Sequence, residues 1–296
     1  MTDSHTRDAS VTETVVNDIE SFEALDRIAS PVSKTVRGAL SPGAVKDALS
    51  GTWLGHPLHP VLTDVVIGSM LSASALDLIA GKKADVASQR LIMLAMAAYA
   101  PTAASGASDW IDAESDPRVK RIGIVHASGN LLALALYGGS LAARRRGGRA
   151  AGVLLAAAGA ATLTGGAFLG GHLSFRRGVG PDRTVFDAGP EEWAPAIAAD
   201  ALVAGRPQRV VVGDTPVFLL QADDHIYAIH DRCSHRGCSL AEGEVEGDEI
   251  VCPCHFSRFA LGDGAVTRGP ATAPQPAYEV RERDGAIEIR ISTTPE

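Results

Sequence analysis

The stretch from Cys233 to Pro270 constrains this chain most. It reads Cys233-Ser-His235-Arg-Gly-Cys238, then Cys252-Pro-Cys254-His255-Phe-Ser257, then Gly269-Pro270, and it holds all four cysteines of the 296-residue chain. Each of two loops offers one Cys and one His, as Cys-x-His and Cys-x-x-His, with sixteen residues between His235 and Cys252. Two thiols and two imidazoles drawn from two segments are a metal site's donor set, so the fold must bring both loops to one place. A structural zinc uses the same residue types at comparable spacings. Zinc takes four ligands, however, and would leave two further cysteines and the Gly-Pro segment without a role.

These residues resemble the Rieske iron–sulfur site. In that family one iron takes two thiolates and the other two imidazoles, which implies a [2Fe–2S] cluster on Cys233 and Cys252, and on His235 and His255. Neutral imidazoles leave the cluster less negative than four thiolates do, so it holds an added electron more readily. Potentials accordingly lie at roughly −150 to +300 mV, against about −400 mV for plant-type all-cysteine clusters. Cys238 and Cys254 stand where the Rieske proteins of cytochrome bc complexes carry a disulfide between the two loops, a pair that the ferredoxins of aromatic-ring dioxygenases lack. The resemblance thus implies a bridge; the alternative is two buried free thiols. Ser257 matches a family hydroxyl that hydrogen-bonds a cluster sulfur, and Gly269-Pro270-Ala271 matches the segment that covers the cluster. Two positions depart from the bc pattern: Phe256 replaces a glycine, and Phe259 replaces a tyrosine that donates to the cluster surroundings. A potential between those of the two subfamilies is expected.

Charge is divided unevenly along the chain. Of the net −8, the segment from Glu191 onward carries −9, with nine Arg, no Lys and eighteen Asp or Glu. Nucleic acid is not an expected partner. Residues 1 to about 18 are polar and expected to lack structure. Short amphipathic stretches follow from Ile19 to Leu49, broken at Pro31 and Ser41-Pro42-Gly43, and read as helical turns on a surface, the lipid bilayer's among the candidates. No apolar leader segment opens the chain.

Four apolar segments then predict membrane spans at about 61–80, 87–105, 122–143 and 150–171, joined by short linkers into an antiparallel bundle. Gly166-x-x-x-Gly170 in the fourth suits close helix packing. Leu54-Gly-His56-Pro-Leu-His59-Pro and Gly170-Gly-His172-Leu-Ser-Phe-Arg-Arg-Gly-Val-Gly180 resemble a bacterial family of four-helix membrane proteins of unknown function, over roughly residues 35–180. Alternating helix direction puts His56, His59, His126 and His172 at one end, where they could bind haem b, a metal or a quinone headgroup, or simply hydrogen-bond locally. Asp77, deep in the first span, is read either as functional or as snorkelling beside Lys82 and Lys83.

Beyond a linker, runs at 206–212, 217–222, 226–230, 249–251, 278–283 and 286–291 predict strands. The expected organisation is an N-terminal tail (1–50), a four-helix transmembrane bundle (51–180), a linker (181–190) and a small all-β Rieske domain (191–296). The function this implies is electron transfer from quinol or another reductant to a redox partner protein, with His255, then His235, meeting the quinol. The competing reading is a ferredoxin or membrane component of an oxygenase system, and a third is a redox sensor. A multi-pass bacterial membrane protein is expected. Seven basic residues near each end of the bundle leave its sidedness open.

Overall fold

The computed structural model describes residues 10–292. They form two compact units, one of residues 10–39 with 59–179, the other of residues 40–58 with 180–292. The first is helical: α1 (Val11–Ser21), α2 (Asp26–Ala39), then α4 (Leu58–Ile79), α5 (Asp85–Ile111), α6 (Pro117–Arg145) and α7 (Arg149–Phe175), with α3 (Ala44–Ser50) belonging to the second unit.

Residues 1–9 of the segment expected to lack structure lie outside the described residues; from Ser10 onward that expectation fails. A reciprocal cap explains why: the Glu13 N–H donates to Ser10 Oγ at 3.2 Å, and the Ser10 N–H to Glu13 Oε2 at 2.9 Å, satisfying donors that a helix start leaves orphaned. Val16 of α1 is buried with Ile122 and Leu169. Pro31 lies within α2 rather than breaking it.

Helices α4 to α7 cover all four expected spans with a turn or so added at most ends, and each is long and apolar enough to cross a membrane. Their shared core holds Val66, Met70, Ile92, Tyr137, Leu141 and Leu163. The Tyr137 hydroxyl donates to the Met70 carbonyl at 3.0 Å and bonds Ser74 Oγ at 2.8 Å. The glycines of α7 make room for α6: a Cβ at Gly159 would lie 2.8 Å from the Tyr137 ring, and one at Gly166 2.4 Å from Asn130 Oδ1. Asp77 is a buried ion-pair partner of Arg144, whose side chain is 0% exposed. Arg144 also pairs with Asp85, and the Ser88 hydroxyl donates to Asp77. Its partner is thus Arg144, and snorkelling beside Lys82 and Lys83 does not describe it.

The second unit is built on three antiparallel sheets, ordered β1-β10-β9, β2-β3-β4 and β5-β6-β7-β8. The strands are β1 (Ala194–Ala198), β2 (Gln208–Val212), β3 (Thr215–Ala222), β4 (His225–His230), β5 (Glu244–Glu246), β6 (Glu249–Val251), β7 (Arg258–Ala260), β8 (Val266–Arg268), β9 (Tyr278–Arg283) and β10 (Ala286–Ile291). Successive side chains of a strand point to opposite faces, and β3 uses both. Val217 and Leu219 enter a core with Ile287, Ile289 and Tyr278; Phe218 and Leu220 enter another with Ile250, Phe259, Leu261 and the thiols of Cys233 and Cys252. A strand buried on both faces should read as a continuous apolar run, as Val217-Phe-Leu-Leu220 does. The second core carries the ligand loops.

The expected linker is in part a piece of this unit. The Arg183 N–H donates to the Ser234 carbonyl at 2.9 Å, Thr184 is buried, and Asp187 lies 3.4 Å from the ring of the fully buried His230.

Candidate iron–sulfur centre

The first loop leaves β4 and runs from Asp231 to Leu240. Its ends are tied by Asp231, whose carboxylate accepts from Ser239 Oγ at 2.7 Å and from the Ala241 N–H at 2.8 Å. Within it the Cys233 N–H donates to the Cys238 carbonyl and the Gly237 N–H to the Cys233 carbonyl, both at 2.8 Å. That turn takes Gly237 to φ +83°, where a Cβ is unfavourable.

The second loop is the turn of a hairpin: Val251 of β6 pairs with Arg258 of β7, and Cys252 to Ser257 span the gap. The Cys252 N–H donates to the Ser257 carbonyl at 2.8 Å and the Phe256 N–H to the Cys252 carbonyl at 3.0 Å. Phe256, where the family has glycine, sits at φ +64° and is 48% exposed. A third segment, Gly269–Ala271, follows β8, and the Ala271 N–H donates to Ser257 Oγ at 2.9 Å. A hydroxyl that accepts one bond keeps its own hydrogen for another acceptor. Phe259, where the family tyrosine would stand, is fully buried in the core beneath the loops.

A disulfide joins Cys238 and Cys254, with Cα atoms 6.5 Å apart. Cys233 and Cys252 are free, each 1% exposed, and their thiols share a hydrogen bond. That bond pulls Cys252 down to about 7, whereas the same bond and burial push Cys233 well up. The His235 and His255 rings are half-buried and stand edge to face, with centroids 5.0 Å apart. Burial, then the neighbouring His255, depress His235 well below the ordinary histidine value, so the neutral ring that ligates a metal is favoured. The donors thus form one sulfur pair and one nitrogen pair. Among the described residues no three His, Cys, Asp or Glu side chains gather round a single point as a mononuclear ion needs. Paired donors fit a two-iron cluster better than zinc.

The bundle histidines each make a local bond. His59 Nδ1 lies 2.9 Å from the Thr102 carbonyl, and His126 Nδ1 lies 2.8 Å from the Gly166 carbonyl with Nε2 on Asn130. His172 Nε2 meets Glu20 Oε1 at 2.9 Å, a carboxylate that Arg177 also holds. His56 belongs to the other unit, with Nδ1 3.0 Å from the Pro57 carbonyl. Sequence reasoning missed Asp231, Asp47 and Thr52, the last two described below. Asp231 directly ahead of the first loop was the one signal available.

Comparison with known proteins agrees with this geometry. Residues 192–279 match the Rieske [2Fe-2S] domain, and residues 55–183 match a family described as predicted membrane protein (DUF2231). The anthranilate 1,2-dioxygenase ferredoxin subunit of Burkholderia cepacia is 34% identical over 100 residues, covering 34% of this chain and 93% of that protein. The 3-phenylpropionate/cinnamic acid dioxygenase ferredoxin subunit of Escherichia coli is 40% identical over 82 residues, 27% of this chain and 77% of that protein. Among solved structures, the ferredoxin of carbazole 1,9a-dioxygenase from Nocardioides aromaticivorans is 31% identical, covering 33% of this chain and 96% of that one, with a TM-score of 0.32. Through residues 192–279, behind a domain of the predicted membrane family, this chain belongs to the Rieske [2Fe–2S] proteins, whose relatives here are electron-carrying ferredoxins.

Proposed function

We propose that the chain is a membrane-anchored electron carrier. In this reading Cys233 and Cys252 hold one iron, and His235 and His255 the other. The observation that carries it is the separation of the donors into a buried thiol pair and an imidazole pair at the end of one hairpin. When bound, the cluster supplies a one-electron couple. The two loops, tied by the disulfide, would hold it through thiols that lie in a buried apolar core, from which water is excluded. The half-buried imidazoles are the groups through which a donor or acceptor would approach.

Membrane anchoring is supported by α4 to α7, whose apolar windows are only 22–33% buried, and by large side chains left exposed on them, among them Leu78, Leu94, Leu131, Leu132, Leu154 and Phe168. Such a belt belongs in lipid. The Cys238–Cys254 bridge, a feature shared with the bc-type group, favours quinol as donor, with His255 accepting the quinol hydrogen bond and His235 second. The relatives favour a second reading, a ferredoxin component that feeds a partner oxygenase. Both end at a protein acceptor. The test is reduction of the purified full-length protein in lipid nanodiscs, followed by electron paramagnetic resonance. Reduction by a short-chain quinol is the expected result. Reduction by a ferredoxin reductase but never by quinol would replace the quinol reading with the second one, and recovery of the chain from the soluble fraction of cells would overturn anchoring.

A further inference from the structure

Residues 40–58 precede the first apolar helix and lie more than 170 residues ahead of the ligand loops, yet they are part of the β unit. The segment is α3, a left-handed Gly51 and a single 3-10 turn at Thr52–Leu54. It touches the third loop of the centre at two points. The Thr52 hydroxyl donates to the Ala271 carbonyl at 3.2 Å. Gly269 approaches so closely that a Cβ there would lie 2.1 Å from Thr52 Oγ1 and 3.0 Å from Asp47 Oδ1. Its φ is not one that demands glycine, so the missing side chain answers to space and not to backbone conformation.

Ala271 links this contact to the ligand loop. Its carbonyl takes the Thr52 hydroxyl, its N–H donates to Ser257 Oγ at 2.9 Å, and the Ser257 carbonyl takes the Cys252 N–H at 2.8 Å. Three hydrogen bonds therefore run from Thr52 to the backbone of an expected ligand. The middle one occupies a lone pair of Ser257 and so restricts where the remaining hydroxyl hydrogen can point.

We propose that Thr52 is a positioning residue for the cluster: through Ala271 it sets the hydroxyl of Ser257, so a segment from the N-terminal part of the chain tunes the potential of a centre built near the C-terminus. The inference rests on the cluster reading above. Chemically, a Ser257 hydrogen aimed at a cluster sulfur stabilises added negative charge, and releasing Ala271 lets that hydroxyl turn to other acceptors.

The experiment is a redox titration of the full-length protein in nanodiscs, read by electron paramagnetic resonance so that cluster content and midpoint potential come from one sample. Thr52→Val keeps the shape and removes the hydroxyl. It is expected to retain the signal, lower the potential in the direction of Ser257→Ala, and add no further shift in the Ser257→Ala background; Thr52→Ser should restore the parent value. A Thr52→Val potential equal to the parent's, with the signal intact, overturns the inference and leaves the cluster reading standing. A parent protein without a mixed His/Cys signal overturns both. Should Thr52→Val assemble no cluster, Gly269→Ala decides. Its methyl must strike Thr52, so it should reduce cluster content and Thr52→Ala should recover part of the loss; full content in Gly269→Ala alone refutes the contact.

Discussion

Cys238→Ser removes the bridge between the two ligand loops, and its cost follows from the loop it closes. The cysteines are 16 residues apart, and a loop of that length is worth about 3 kcal/mol in denatured-state entropy, or roughly a hundredfold in an equilibrium constant. Where that energy is expressed depends on the cluster. Bound at all four expected ligands, the cluster cross-links the same two loops, so the bridge adds most once the cluster has begun to leave. The variant should therefore assemble the centre but lose it faster, by up to roughly a hundredfold, and lower its potential as the cavity loosens. The assay is the decay of visible cluster absorbance at 25 °C under an iron chelator, with the Cys238→Ala/Cys254→Ala double variant run beside it. A decay rate within twofold of the parent, at unchanged potential, would leave the bridge without a role in holding the loops.

Asp77→Asn removes one of the two carboxylates that hold the buried Arg144 guanidinium and leaves it with Asp85. Removing the sole partner of a buried charge costs about 3–5 kcal/mol, and with Asp85 still in place the loss is smaller, so thermal unfolding in detergent should occur roughly 5 °C lower; an unchanged midpoint contradicts the ion-pair assignment. His230 is held below its usual 6.5, by burial first, against the opposing hydrogen bond of Asp187. A depressed folded-state value means the unfolded chain binds the proton more readily, so the stability it supports is present above pH 6.5 and lost as pH falls below that. Calorimetry should show the β unit's midpoint dropping on acidification, less steeply in His230→Gln; parallel profiles would count against it. Phe256→Gly should stabilise the second loop by about 1 kcal/mol, because a bulky residue at φ +64° bears strain that glycine does not; denaturant titration yielding equal or lower stability contradicts this.

What the sequence revealed tracks where its signals are strong. The ligand motif names its own chemistry through residue type and order, and the apolar runs of α4 to α7 are long enough to mark helices that could cross a membrane. β6, β9 and β10 lie where expected because alternation or an apolar run marks them. The strands that escaped notice are β5, β7 and β8, three-residue strands without the adjacent apolar β-branched pair that Ile250-Val251 gives the equally short β6, and β1, whose Ala-Pro-Ala-Ile-Ala carries little β preference. The polar start of the chain was misread because composition suggested disorder, whereas a single capping box at Ser10 and Glu13 nucleates α1. Arg144 counted only as one of several basic residues at a helix end; that it reaches back to Asp77 is a tertiary fact with no local trace. The place of residues 40–58 in the β unit was equally invisible, since Thr52 and Asp47 meet Gly269–Ala271 through polar atoms that form no sequence pattern.

On the proposed reading, two sulfurs and two imidazole nitrogens hold one two-iron cluster. Electron paramagnetic resonance of the dithionite-reduced full-length protein tests it most directly, with pulsed detection of nitrogen couplings and metal analysis of the same sample. The expected outcome is two irons per chain, a low average g, and two strongly coupled nitrogens, one of which disappears in His235→Cys and the other in His255→Cys. An all-cysteine signal in the parent protein, or one zinc per chain in place of iron, would contradict it.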